Sequence, residues 1–411
     1  MMREIDVVVV GAGQAGLATS YHLAQRGIEH VVFERGRVAE AWRTRRWDSF
    51  ALNSPNWAFA LPGYEYDGDD PGAFMLREEL IERFSDYAHR IGTPVEEGVE
   101  VKRVSFDDVS SRYLVQTSSG DVEARAVVAA TGPYQRRRRL DNGLDPNILQ
   151  INTDEFRNAT SLPRGGVLVI GSGQSGCQVA EDLRQAGRDV WLATGTCGWI
   201  PRRYRGRDNV EWRLDMGMFE DTVEKLGHAL RLACPPIQTG VDGGRDMNLS
   251  TLRSRGITLT GRFLNATGRT VTVADDLQSN ASGSDSAAVA LRERIDKFIA
   301  DRGLNAPLPQ PFEPAGDFGG APTQIDLSAV DINSVIWATG FRLDFGWIDL
   351  DLEAVDGYPA QVRGASKHPG LYFMGLQLMH KRKSGLIFGV DEDAEHVSSI
   401  IVTQLGAHGA A

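Results

Sequence analysis

One stretch constrains the fold more than any other. Val7-Val8-Val9-Val10 runs straight into Gly11-Ala12-Gly13-Gln14-Ala15-Gly16, and Leu17, Tyr21 and Ala24 then fall on one helical face. A strand, a glycine turn and a helix start in that order predict a dinucleotide cradle. Glycines let the backbone turn sharply and approach a pyrophosphate, and the helix N-terminus presents free N–H groups and the positive end of its dipole. Glu34 ends the run Val31-Val32-Phe33, at the spacing where an acid holds a ribose 2′-hydroxyl.

The pattern returns about 160 residues later. Val167-Leu168-Val169-Ile170 leads into Gly171-Ser172-Gly173-Gln174-Ser175-Gly176, and Leu183 and Gly187 match Leu23 and Gly27. The two copies predict two cofactor modules in one chain. At the end of the second strand of each module, Glu34 is replaced by Thr194. A carboxylate suits a free 2′-hydroxyl and repels a 2′-phosphate, whereas a threonine does not repel it. The first module is therefore expected to bind FAD and the second a nicotinamide cofactor, with NADPH favoured over NADH. Arg202 and Arg203 lie just downstream, either to meet that phosphate or as ordinary solvated surface.

Composition sets the outer limits. The length of 411 residues suits two or three domains, and 42% hydrophobic residues suffice for packed cores. A net charge of −11 argues against nucleic acid as a partner, and no apolar run approaches a membrane span. Cys177, Cys197 and Cys234 form no CxxC pair and no metal-ligand spacing, so no metal site is expected. Cys177, on the second module's helix, reads as a small buried apolar residue. The chain enters its first strand almost at once, without the pattern of a signal peptide. A soluble, reduced, cytoplasmic protein is expected. Its partners would be a small organic molecule and O₂, and a homodimer is compatible with the sequence.

The order of elements predicts an α/β fold with two Rossmann-like domains, the FAD-binding domain being discontinuous and the NADPH-binding domain inserted into it. The expected boundaries are 1–160, 161–324 and 325–411. Residues 35–76 are loop-rich and hold Trp42, Trp47 and Trp57; a loop this long in a compact domain is usually functional. Helices are predicted at 77–91, 219–233 and 284–302, the last able to serve an interface rather than the core. Short strands are predicted near 99–106, 112–117 and 122–130, and the strand 332–337 runs into Ala338-Thr339-Gly340.

Together these residues resemble the two-dinucleotide-binding-domain flavoproteins, most closely the class B flavin monooxygenases. The resemblance spans nearly the whole chain. It rests on the two glycine motifs, on Trp42-Arg43 and on the late Ala338-Thr339-Gly340-Phe341. It implies that Gly11, Gly13, Gln14, Ala15, Gly16, Glu34, Arg35, Trp42, Arg43, Val101, Ala130, Thr131, Gly132, Gly375, Leu376 and Gln377 serve FAD, with Val101 at the adenine. It implies that Gly171, Ser172, Gly173, Gln174, Ser175, Thr194, Arg202, Arg203, Ala338, Thr339 and Gly340 serve NADPH. Asn53 by its own sequence is either a loop residue capping Ser54-Pro55 or a hydrogen-bond donor at the flavin; it resembles the asparagine that faces the flavin, which makes it the candidate catalytic residue. The family fingerprint FxGxxxHxxx(Y/F)K survives only in Phe156 and Arg157, with Pro146, Ile148 and Asn152 at its other positions. That pattern resembles the broader heteroatom- or carbon-oxygenating bacterial relatives more than a Baeyer–Villiger enzyme.

The implied activity is an FAD- and NADPH-dependent monooxygenase reaction through a C4a-(hydro)peroxyflavin. The alternative is a flavin-dependent NAD(P)H reductase without oxygen insertion. His380-Lys381-Arg382-Lys383 would either place positive charge by the flavin or be a solvated run. Trp47 and Trp57 would either wall a substrate pocket or belong to the core.

Overall fold

The computed structural model describes residues 2–140 and 143–408. The first sheet is built from β1 (Arg3–Val10), β2 (His30–Glu34), β3 (Val95–Glu97), β4 (Val101–Asp107), β5 (Arg112–Thr117) and β6 (Val122–Ala129), in the order β3-β2-β1-β6-β5-β4. A late strand, Leu371–Phe373, joins it parallel to the end of β6, so the C-terminal residues complete the first domain. β1 lies parallel between β2 and β6, with Val7 opposite His30 on one side and Ala126 on the other. Covered on both faces, it reads as a continuous apolar run, and Val7, Val8 and Val9 are fully buried. Helix α1 (Gln14–Gln25) packs on this sheet, and the last helix, Val390–His408, packs on α1. His22 and Asp391 bridge the two helices at 2.6 Å.

The chain then crosses through β7 (Arg136–Arg137) and the short β8 (Gly143–Leu144) into a second sheet. Its strands β9 (Leu149–Asn152), β10 (Gly166–Ile170) and β11 (Val190–Ala193) are joined by Thr258–Thr260 and Ile332–Trp337. The expected boundaries at 160 and 325 therefore differ from the sheet membership: residues 149–152 and 332–337 both belong to the second sheet. The outgoing and returning crossings pair with each other, Arg137 opposite Phe341, in a two-stranded antiparallel ribbon. Arg137 is further held by Asp154 at 3.0 Å and Glu155 at 2.9 Å, so the basic run 136–139 is part of this double crossing.

Two helix expectations change. Residues 219–233 hold two 3₁₀ turns and one short helix, interrupted at Gly227, whose φ is +88°. The helix expected at 284–302 begins earlier, at Leu277. Its first turns are poor helix formers, but their small side chains permit close packing: Asn280 Nδ2 donates to Thr194 Oγ1 at 3.2 Å and Ser284 Oγ to the Cys197 carbonyl at 2.9 Å. Its apolar stripe Leu291, Ile295 and Ile299 is buried with Ile200, Tyr204 and Trp212, so this face belongs to the core. Among the described residues no helix is long and apolar enough to cross a membrane.

Candidate functional site: two dinucleotide cradles and the loop between them

Each of the three glycines after β1 has a different physical role. Gly11 adopts φ +106°, and a Cβ there would press on the Ala130 carbonyl at 2.7 Å. A Cβ on Gly16 would collide with the Gly11 carbonyl, so this glycine sets how closely helix and strand approach. Gly13 has nothing within 4 Å of the place a Cβ would take, leaving open space in front of the N-terminus of α1. That is the cradle a pyrophosphate requires. Glu34 is oriented at its edge: its carboxylate accepts from the Ala12 and Gly36 amides, both at 2.9 Å. Ala15 is buried behind the turn. Arg35 is exposed beside Glu34. The residues present fit an adenine dinucleotide.

The rest of the first set gathers around this turn. Ala130 N donates to the Val10 carbonyl at 2.9 Å, which brings Ala130-Thr131-Gly132 alongside Gly11. Gly375 sits against α1, where a Cβ would be 2.6 Å from that of Ala15. Leu376 is buried, and Gln377 Nε2 reaches the carbonyls of Leu230 and Ala233. Gln14 Nε2 donates to the Gly385 carbonyl at 2.9 Å, tying the same C-terminal loop to the start of α1. Trp42 and Arg43 lie on α2 (Glu40–Thr44). Trp42 stacks on Phe84 of α3 (Arg77–Arg90), and Arg43 holds the Val38 carbonyl and the Ser85 hydroxyl. Val101 begins β4 opposite Thr117, while Val99 N bonds the Glu34 carbonyl at 2.9 Å. The backbone position beside the end of β2 is thus Val99.

The second cradle repeats the first nearly atom for atom. Gly171 has φ +106°, a Cβ there would meet the Ala338 carbonyl at 2.7 Å, and Gly176 is packed on Gly171 as Gly16 is on Gly11. Ala338 N donates to the Ile170 carbonyl at 2.8 Å, so Ala338-Thr339-Gly340 is the counterpart of Ala130-Thr131-Gly132. Ser172 accepts from Gly195 N at 2.9 Å, and Gln174 and Ser175 open α4 (Gln174–Gln185). Gln174 exchanges two hydrogen bonds with the Gln238 backbone, as Gln14 reaches Gly385. One difference stands out: the space open at Gly13 is entered at Gly173 by the Cys234 sulfur, 3.1 Å from a Cβ position there.

At the position expected to meet a 2′-phosphate, the side chains are engaged within the protein. Thr194 is buried and its hydroxyl is already used, donating to the Thr260 carbonyl at 2.8 Å. Arg202 is almost wholly buried: it bonds the Asn53 carbonyl at 2.8 Å, pairs with Asp208 and lies over the Phe74 ring. Burial pulls its guanidinium pKa down, opposed by Asp208. Arg203 is spent on the Gly243 and Gly244 carbonyls. Both side chains serve structure in this conformation, and Arg202 joins the second domain to the 35–76 loop.

That loop is held from both sides. Asp48 N bonds the Arg157 carbonyl at 2.8 Å, and Asp48 accepts from Asn158. Trp47 is buried with Phe50 and Phe156, so it belongs to the core rather than to a pocket wall. Asn53 sits at the junction, half-buried, its carbonyl bonded to Arg202 and its side-chain amide without a partner among the described residues. The basic run 380–383 is neutralised locally. Lys381 reaches Glu220 and Glu392, both at 2.7 Å, Lys383 reaches Glu220 at 2.5 Å, and Arg382 binds the Met218 carbonyl. Burial, helped by Arg363, lowers the His380 pKa and keeps it neutral at pH 7. The run fastens residues 218–223 of the second domain to the first.

Comparison with known proteins follows these lines. The chain is 28% identical over 409 residues to a Geobacillus kaustophilus protein described as an uncharacterized CzcO-like oxidoreductase, covering 98% of this chain and 99% of that one. It is 30% identical over 204 residues to the rice indole-3-pyruvate monooxygenase YUCCA1, covering 48% of this chain and half of that one. Its fold matches a flavin monooxygenase variant from Stenotrophomonas maltophilia at a TM-score of 0.68 and 18% identity, over 98% of this chain and 99% of that one. The expected two-domain Rossmann architecture of the flavin-monooxygenase type is borne out. The model of the pyridine nucleotide-disulphide oxidoreductases matches residues 8–216, and the chain belongs to that family.

Proposed function

We propose that this chain is an FAD- and NADPH-dependent monooxygenase that transfers one atom of O₂ to a small organic substrate and releases the other as water. The observation that carries this reading is the pair of matching cradles, of which only the first presents a carboxylate at its ribose edge. Bound FAD would supply hydride acceptance from the reduced nicotinamide and the activation of O₂. The protein's own work is binding and orientation. The open amides before α1 receive the FAD pyrophosphate, and Glu34 receives a ribose hydroxyl. The turn before α4 receives the NADPH pyrophosphate, and Thr194 leaves the 2′ position free of repulsion. The clamped 35–76 loop excludes water, and the unpartnered Asn53 amide donates to the reacting oxygen or substrate. The likeness to monooxygenases supports oxygen insertion over simple reduction.

We further propose a cytoplasmic location and no nucleic-acid partner, in line with the net charge of −11. The test is oxygen uptake by the FAD-loaded protein. NADPH should drive it faster than NADH, and with a productive substrate labelled O₂ should leave one labelled atom in the product. A protein that neither retains FAD nor consumes O₂ with NADPH would overturn the proposal.

A further inference from the structure

The structure joins two cysteines that the sequence holds 37 residues apart: Cys197 Sγ and Cys234 Sγ lie 2.7 Å from each other. Their location matters as much as their distance. Cys197 belongs to the loop that leaves β11 at the ribose side of the second cradle. Cys234 belongs to the segment laid across the N-terminus of α4 by the Gln174–Gln238 hydrogen bonds. The Cys234 sulfur stands in the space before Gly173 that is empty at the equivalent Gly13. The two modules otherwise match closely, so this thiol is an addition to the second cradle and not part of its scaffold.

We propose that Cys197 and Cys234 form a reversible disulfide that closes the second nucleotide cradle. The inference rests on the assignment of NADPH to that cradle. In the dithiol state the Cys234 side chain can rotate about χ1 and clear the pyrophosphate path. A disulfide pins its sulfur before Gly173 and ties the two lips of the cleft together, while the first cradle, with no cysteine near it, is untouched.

The chemistry balances with a peroxide as oxidant. The Cys234 thiolate attacks hydrogen peroxide, breaking the O–O bond, forming a sulfenic acid and releasing hydroxide. The Cys197 sulfur then attacks the Cys234 sulfur, the S–O bond breaks, and the Cys197 proton leaves with the oxygen as water. Two thiols and one peroxide give one disulfide and two waters. The hydrogen bond between the two sulfurs lowers the Cys234 thiol below its ordinary value, and its exposure makes it the accessible attacking sulfur. Cys177, by contrast, is fully buried and its thiol pKa is raised by that burial. A dithiol reductant reverses the bond by exchange.

The experiment uses the 411-residue, FAD-loaded protein, reduced and then treated with stoichiometric hydrogen peroxide. Intact mass and thiol counting in denaturant should show the loss of two hydrogens and two of the three thiols, restored by dithiothreitol. The NADPH dissociation constant, read by fluorescence titration, should rise at least tenfold on oxidation while FAD stays bound. Cys197→Ser and Cys234→Ser should show no such shift, and Cys177→Ser should behave as the parent. Absence of the disulfide, or a disulfide that leaves NADPH affinity unchanged, would overturn the proposal. Reduced protein that binds no NADPH would overturn the assignment of the cradle itself; the mass readout, which involves no nucleotide, tells the two failures apart.

Discussion

At the scale of single residues, glycines that look interchangeable in the motif part company in space. Gly13 has an ordinary extended backbone and no neighbour where a Cβ would go. Gly13→Ala should therefore leave the thermal midpoint of cofactor-free protein nearly unchanged while weakening FAD binding at least tenfold, through obstruction of the pyrophosphate. Gly16→Ala forces a methyl group into the Gly11 carbonyl, and backbone must shift. It should cost about 3 kcal/mol or more in stability and lose FAD as a consequence. Urea denaturation together with flavin titration checks both, and equal destabilisation by the two substitutions would sink this division of roles. The turn at these glycines and the place of Glu34 were legible in the sequence because their geometry is local, set by residues within one turn or one strand. Arg202 was not. Its position after Thr194 suggested a phosphate ligand or solvated surface, but it is buried between Asp208, across the hairpin it leads into, and Asn53, which lies 149 residues away in sequence. Arg202→Met should strand the buried Asp208 carboxylate and cost about 3–5 kcal/mol, read as a lowered urea midpoint.

Secondary-structure elements were legible where periodicity and burial agree. β1 and β10 announced themselves as apolar runs, and α3 as an amphipathic helix from Arg77. The long helix was foreshortened because its first turns are specified by tertiary contacts to Thr194 and Cys197 rather than by propensity. The last helix carries a testable cost of its own. Asp393, in its first turn, is buried, with its Oδ2 lacking a hydrogen bond and the His380 ring 3.8 Å away. Burial pushes its carboxyl up to about 6. Because this lies above the unfolded value of about 3.9, the native state binds the proton more tightly. The stabilisation is present in full below about pH 4 and is lost as pH rises through about 6. Asp393→Asn should thus raise stability at pH 7.5, by up to about 3 kcal/mol, and flatten the pH dependence between about 4 and 6. Denaturation curves at several pH values check this; a variant less stable at pH 7.5, with the parent's slope intact, would contradict it.

On the scale of the whole molecule, the discontinuous first domain and the inserted second one were legible from the repeated motif and the late strand. The boundaries were not, because a short strand such as Leu149–Asn152 carries too few residues to declare which sheet it joins. The pairing of both crossings in one ribbon, and of Cys197 with Cys234, are long-range facts that no local pattern encodes. The same holds for the interdomain fastenings at Arg202 and at Lys381–Lys383, whose partners Asn53 and Glu220 lie on distant segments. The proposed division of labour follows from two cradles of one design, with flavin assigned to the first and the nicotinamide cofactor to the second.

Anaerobic mixing of the FAD-loaded protein with NADPH tests that division most directly, with the flavin's visible absorbance followed in the parent and in Gly173→Ala. The second cradle's glycine has an ordinary backbone conformation, and an added Cβ would meet only the end of the Cys234 side chain. The parent should bleach with one NADPH per FAD, and Gly173→Ala should keep its FAD but bleach at least tenfold more slowly at limiting NADPH. Loss of flavin from Gly173→Ala, or bleaching at the parent's rate, would contradict the assignment of the two cofactors to the two cradles.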